Sequence, residues 1–116
     1  MNKTITAPRG FLAAGIACGL KRSGNKDLGL IICPTGATAA GVFTTNRIVS
    51  AAVTVCRKHV KSAVVEGVIV NSGNANACTG EQGIRDAQQM CKALADQIET
   101  NPSRICVAST GIIGHA

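Results

Sequence analysis

Tryptophan and tyrosine are absent from this sequence, and phenylalanine occurs only as Phe11 and Phe43. Large aromatic side chains supply much of the burial in ordinary cores. A core here must instead be assembled from Ala, Val, Ile, Leu and Cys around 13 glycines. Such residues suit tightly layered strands but bury less area each, so the chain leans on a further surface to complete its core. The same scarcity removes the stacking platforms that single-stranded nucleic-acid binders use. Carboxylates are also few: 6 Asp and Glu against 12 Lys and Arg leave a formal net charge of +6. The basic residues are scattered, with Arg57, Lys58 and Lys61 around His59 as the densest group. No nucleic-acid partner is expected from that footprint.

No CxxC pair occurs. Cys18, Cys33, Cys56, Cys78, Cys91 and Cys106 never lie closer than thirteen residues, so neither a zinc ribbon nor a dithiol redox motif is supported. Most sit in apolar settings such as Ile16-Ala17-Cys18, Ile31-Ile32-Cys33 and Ile105-Cys106-Val107, where a free thiol packs as a small hydrophobe. Reduced thiols in a cytoplasmic protein are the expectation. Met1 to Pro8 leads into no uninterrupted apolar stretch of the signal-peptide kind, and no apolar run is long enough to cross a bilayer. The only histidines, His59 and His115, have no carboxylate beside them in sequence. No Ser–His–Asp or Cys–His arrangement can be assembled, no metal site is expected, and His59 reads as a surface residue.

The 116 residues have the length of one domain at most. Met1 to Gly10 reads as an extended lead-in broken by Pro8 and Gly10. Phe11 to Leu20 fits a strand or a short helix, and Lys21 to Asp27 a solvated turn. Leu28 to Cys33 is a buried strand stopped by Pro34, so the two runs form a β-hairpin. Ala37 to Thr45 reads as a third strand, and Ser50 to Lys61 as a short helix capped by Ser50. Gly67 to Asn71 is a central buried strand. A helix from Gly80 to about Thr100 carries Ile84, Ala87, Met90, Cys91, Leu94, Ala95 and Ile98 at helical spacing. Met90 on that stripe is core filler rather than a cofactor contact. Asn101-Pro102 ends this helix, and Arg104 to Ser109 returns as a strand. Strand, helix, strand in that order implies an α/β layer arrangement.

Two stretches are polar where strands end. Val68-Ile-Val-Asn-Ser-Gly-Asn-Ala-Asn-Ala-Cys-Thr-Gly80 runs from a β-branched strand into an Asn-rich loop. Thr79 with Gln82 three residues on has the form of a capping box. Asn71, Asn74 and Asn76 offer donors and acceptors to a ligand, but Asx turns that stiffen the loop account for them equally well. Glu81 and Asp86 fall early in the helix, where negative charge is favourable for structural reasons. The second stretch, Ser109-Thr-Gly-Ile-Ile-Gly114, reads as a turn leaving a buried strand. The Thr110 hydroxyl and the uncrowded N–H of Gly111 are the two donor types an oxyanion hole requires. From spacing alone, a plain Thr-Gly turn accounts for them better.

Asn71-Ser-Gly-Asn-Ala-Asn-Ala-Cys-Thr-Gly80 resembles the hallmark of the ornithine acetyltransferases, the bifunctional glutamate N-acetyltransferases of arginine biosynthesis. Gly41-Val-Phe-Thr-Thr-Asn46 and Ser109-Thr-Gly-Ile-Ile-Gly114 match two more of the family's motifs, in the family's order. The resemblance runs from about Ala7 to Ala116 and covers the N-terminal part of a longer protein. It implies an α/β (α+β) fold, a layered sandwich of β-sheets with flanking helices of the DmpA/ArgJ-like kind. Residues 1–116 would supply one incomplete domain of an acetyltransferase α-chain. It also implies a ping-pong acetyl transfer from N-acetylornithine to glutamate, with no bound cofactor and with acetyl-CoA a co-substrate in some members. In the family the Thr-Gly pair of the third motif stabilises the oxyanion, which places that role on Thr110 and Gly111. The nucleophile is a threonine freed by self-cleavage within Ala-Thr-Met-Leu, a motif these 116 residues lack. The remaining α-chain and a β-chain bearing the nucleophile would be partners in an α/β hetero-oligomer, and this piece alone should be inert. Two other readings compete. One is a self-processing aminopeptidase on a related fold, and the other is a non-enzymatic module binding anions at the Gly80 helix terminus.

Overall fold

A computed structural model describes residues 4–115 of the chain. Its strands are β1 (Leu12–Ile16), β2 (Leu28–Thr38), β3 (Val64–Asn74) and β4 (Ile105–Ile112), and its α-helices are α1 (Ala51–His59) and α2 (Gly80–Ile98). The strands form one sheet in the order β1-β2-β3-β4. The first two pairings are antiparallel and β3 with β4 is parallel, because α2 carries the chain back between them.

The expected hairpin is present, with Leu12 opposite Ile32 and Ile16 opposite Leu28. Its connecting turn is organised by Asp27, which is buried. Its carboxylate accepts from the N–H groups of Cys18 (2.7 Å) and Lys21 (3.0 Å). Those two N–H groups, Cys18 first, hold its carboxyl well below the usual carboxylate range.

The core lies between the sheet and the two helices. Ala87, Cys91, Leu94 and Ala95 of α2 meet Ile69 of β3 and Ile105 and Val107 of β4, and Ala51, Ala52 and Val55 of α1 close the side. A β-carbon at Gly67 would lie 3.1 Å from both Ile105 Cδ1 and Leu94 Cδ2, so the glycine lets α2 settle close to the central strand. The sheet positions out of register with the core, among them Ile31, Val68 and Val70, face the other way. Neither helix packs on that face, so the layered fold expected from the sequence is present as one sheet and one helical layer.

Several expectations are corrected. Residues 4–10 form turns and bends rather than an extended lead-in, and Met1 to Lys3 lie outside the described residues. Pro34 does not stop β2. The strand continues to Thr38 across a register shift between Ile32 and Ala37, where a residue without an N–H leaves no ladder bond unmade. The third strand expected over Ala37 to Thr45 does not form beyond Thr38. The segment is held from α1 instead: Arg57 lies 5.6 Å over the Phe43 ring and donates to the Thr44 carbonyl at 3.0 Å. Ser50 does cap α1, accepting from the Val53 N–H. His59 is half-buried rather than a surface residue, its Nδ1 2.7 Å from the Ile105 carbonyl.

Candidate functional site

The polar residues singled out in the sequence meet where β3 and β4 end. Strand β3 does not stop at Asn71 but runs to Asn74, pairing Asn71 with Ser109, Ser72 with Thr110 and Gly73 with Gly111. Asn71 and Ser109 share the helix-facing side with Ile69 and Val107. The Ser109 hydroxyl donates to Asn71 Oδ1, while Asn71 Nδ2 donates to the Asn74 carbonyl at 2.8 Å. Asn74 Oδ1 accepts the Asn76 N–H at 2.8 Å. Asn76 Nδ2 donates to the Gly83 carbonyl at 2.9 Å, and its Oδ1 accepts the Thr79 hydroxyl at 2.6 Å. Asn76 takes φ +51, a left-handed conformation asparagine tolerates better than most residues. These bonds are the loop-stiffening contacts that the Asx-turn reading expects.

This network overrides the expected capping box. Thr79 turns back to Asn76 and makes no side-chain bond to the helix. Gln82 bonds along α2 to Asp86 and Arg85 rather than reaching back to the cap. The network also explains Gly83, which the sequence reading passed over. A β-carbon there would collide with the Thr79 hydroxyl and the Asn76 carboxamide.

Beside the network lies a cleft of about 360 Å³. Asn71, Asn74, Asn76 and Ser109 give it a polar wall, Leu20, Leu28 and Met90 an apolar one, and Asp86 stands at its side. Met90 is therefore only half core filler, since it also faces this space. Among the described residues no group of three His, Cys, Asp or Glu is placed to hold a metal.

Thr110 and Gly111 lie inside β4, not in the turn expected there, because the strand continues to Ile112. Thr110 is exposed and takes the sheet face opposite Ser109. Gly111 has φ +130, and a β-carbon on it would overlap the Gly73 carbonyl carbon and the Asn74 nitrogen. Only glycine fits. The Val107 N–H and carbonyl both point away from β3, towards the Cys56 sulfur. Gly111 also borders a second groove of about 570 Å³ that it shares with Lys21, Arg22, Ser23 and Gly73.

Residues 12–116 match the ArgJ family. The chain belongs to that family. It is 50% identical over 111 residues to the arginine biosynthesis bifunctional protein ArgJ of Synechocystis, spanning 95% of this chain and 27% of that protein. The ArgJ protein of Caldanaerobacter subterraneus is 46% identical over 114 residues, spanning 98% of this chain and 28% of that protein. The chain thus spans about a quarter of the length of the curated relatives it matches. Among solved structures, ArgJ from Bacillus halodurans superposes with a TM-score of 0.88 at 40% identity, over 92% of this chain and 56% of that one. Ornithine acetyltransferase from Mycobacterium tuberculosis, complexed with ornithine, superposes with a TM-score of 0.88 at 42% identity, over 96% and 61%.

Within this chain the sequence reading missed Asp27, Gly83 and the cleft residues Cys18 to Leu20. Asp27 carried a weak signal, as an acidic residue at the foot of a strand of otherwise apolar character. Gly83 carried one too, as a glycine inside a strongly periodic helix. Nothing local pointed to Leu20, which reaches the β3 end only through the hairpin fold.

Proposed function

We propose that this chain is the N-terminal part of an acetyltransferase of arginine biosynthesis. The complete protein would move an acetyl group from N-acetylornithine to glutamate, with acetyl-CoA as a further donor. The names of its relatives and the ornithine held by one solved structure support this chemistry. The observation that carries the reading is the Thr110–Gly111 pair, an exposed hydroxyl followed by a glycine packed against the Gly73–Asn74 backbone. Attack on an acetyl carbonyl puts negative charge on its oxygen, and two donors held ready for that charge are the largest single help a site can provide. Lys21 and Arg22, in the groove bordered by Gly111, make the surroundings more favourable to an anion. The threonine nucleophile, whose own freed amino group would serve as base, is assigned to sequence outside these 116 residues. So are the rest of the α-chain and the β-chain of a cytoplasmic α/β hetero-oligomer. Residues 1–116 form part of one domain and are inert alone. No described helix is long and apolar enough to cross a membrane.

The test is Thr110→Ala in the complete, self-cleaved protein. Turnover of N-acetylornithine with glutamate should fall roughly a hundredfold or more, with the extent of cleavage scored separately on a denaturing gel. Near-normal turnover in cleaved enzyme would remove Thr110 from the mechanism.

A further inference from the structure

We infer that Asn71 and Ser109 are positioning residues that hold the Thr110–Gly111 donors in place from the other side of the sheet. This role presupposes the acyl-transfer reading above. Asn71 is one of the few buried polar side chains, 7% exposed, and its carboxamide is engaged at both ends. Its oxygen takes the Ser109 hydroxyl from the facing rung of β4, one residue before Thr110. Its nitrogen holds the Asn74 carbonyl. Asn74 is the residue whose backbone nitrogen stands against Gly111, where no β-carbon fits. One buried side chain therefore fixes both the residue before the donor pair and the backbone that the pair leans on. Beyond Gly111 the strand end is also held by backbone bonds from Ala75 N–H to the Ile112 carbonyl and from Gly114 N–H to the Ala77 carbonyl.

The geometry matters because oxyanion donors act only at hydrogen-bond distance from one oxygen, and a misplacement of about 1 Å costs on the order of a hundredfold in rate. Neither Asn71 nor Ser109 points to the face that carries the Thr110 side chain. Their loss should therefore act mainly on kcat, since their polar groups are spent on each other and on the Asn74 carbonyl.

The experiment compares Thr110→Ala, Ser109→Ala, Ser109→Thr, Asn71→Ala and the Asn71→Ala/Ser109→Ala pair in the complete protein, with rates normalised to cleaved enzyme. Ser109→Ala is expected to lower kcat about tenfold with KM within about twofold, and Ser109→Thr, which keeps the hydroxyl, to restore most of it. The double variant should be no slower than Asn71→Ala, because Asn71→Ala already removes the only link that Ser109→Ala breaks. Should burial make Asn71→Ala fail to fold, the Ser109 pair of variants decides alone. If Thr110→Ala is slow while Ser109→Ala runs within about twofold of wild type, the positioning role is wrong and the acyl-transfer reading stands. If Thr110→Ala is itself near normal, the oxyanion reading falls, and the role of Asn71 and Ser109 with it.

Discussion

The Cys56 sulfur meets the backbone of Val107 twice: the Val107 N–H donates to it at 3.2 Å, and its thiol donates to the Val107 carbonyl at 3.1 Å. A side chain from α1 thus occupies the outer edge of β4, where a further strand would otherwise pair. His59 does the same one rung earlier, at the Ile105 carbonyl. Covering an edge with a helix is one of the ways natural sheets avoid unwanted pairing.

This arrangement also divides the thiol chemistry. The Cys106 thiol beside Cys56, together with the Val107 N–H, favours the Cys56 thiolate and lowers its pKa, while the same contact pushes Cys106 up. Burial pushes the Cys91 thiol up to about 12. Alkylation with iodoacetamide, read by peptide mass spectrometry from about pH 6 to 9, should label Cys56 at lower pH than Cys106 or Cys91. Equal pH profiles for Cys56 and Cys106 would contradict the assignment.

Replacing Gly83 by alanine should destabilise the protein despite the helical location. In an ordinary helix interior the change gains up to about 1 kcal/mol. Here the new methyl group meets the Thr79 hydroxyl and the Asn76 carboxamide, an overpacking cost of about 1–3 kcal/mol with broken bonds in the Asn network besides. A lower denaturation midpoint is expected, and a raised one would show that the network yields easily.

Asp27 links the hairpin turn to pH. Its carboxyl titrates below the usual carboxylate range because the Cys18 and Lys21 N–H groups hold the charged form. Its contribution to stability is therefore complete above the ordinary carboxylate pKa of about 3.9 and is lost as pH falls through the lower folded value. Asp27→Asn should speed hydrogen exchange at the Cys18 and Lys21 amides at neutral pH. Unchanged exchange at both would mean the turn is held by other contacts.

Two glycines, one inside β4 and one just past it, predict losses of different size and cause. Gly111→Ala should damage turnover and stability together, because φ +130 and the Gly73–Asn74 backbone both exclude a β-carbon. Gly114 has φ +82 but nothing within 4 Å of its missing β-carbon, so Gly114→Ala should cost only the left-handed strain of about 1–2 kcal/mol. Thermal unfolding and kcat measured on both variants separate steric exclusion from conformational strain.

Much of the fold was legible because it is local. The stripe from Ile84 to Ile98 marks α2, the β-branched run before Asn71 marks β3, and Ser50 caps α1. The errors have a common cause. Ala37 to Thr45 has strand composition, yet beyond Thr38 it is held by Arg57 of α1 rather than by a strand, and Pro34 reads as a stop where the sheet absorbs it in a register shift. Thr79 and Gln82 stand at capping-box spacing, yet Asn76 takes the threonine and Asp86 and Arg85 take the glutamine.

Taken alone, the sequence determined α1, α2 and the central runs of β2, β3 and β4, that the core would be built without large aromatics, and, through three motifs, the family and the candidate pair Thr110 and Gly111. Periodicity and wording of this kind are carried by neighbouring residues. The tertiary structure alone decided that this pair lies within a strand, that Asn71 is bonded to Ser109, and that Gly111 presses on Gly73. Each of these is a contact between residues 38 apart in the chain. Hydrogen bonds satisfied across such distances depend on which strands become neighbours, and that follows from packing α2 against the sheet.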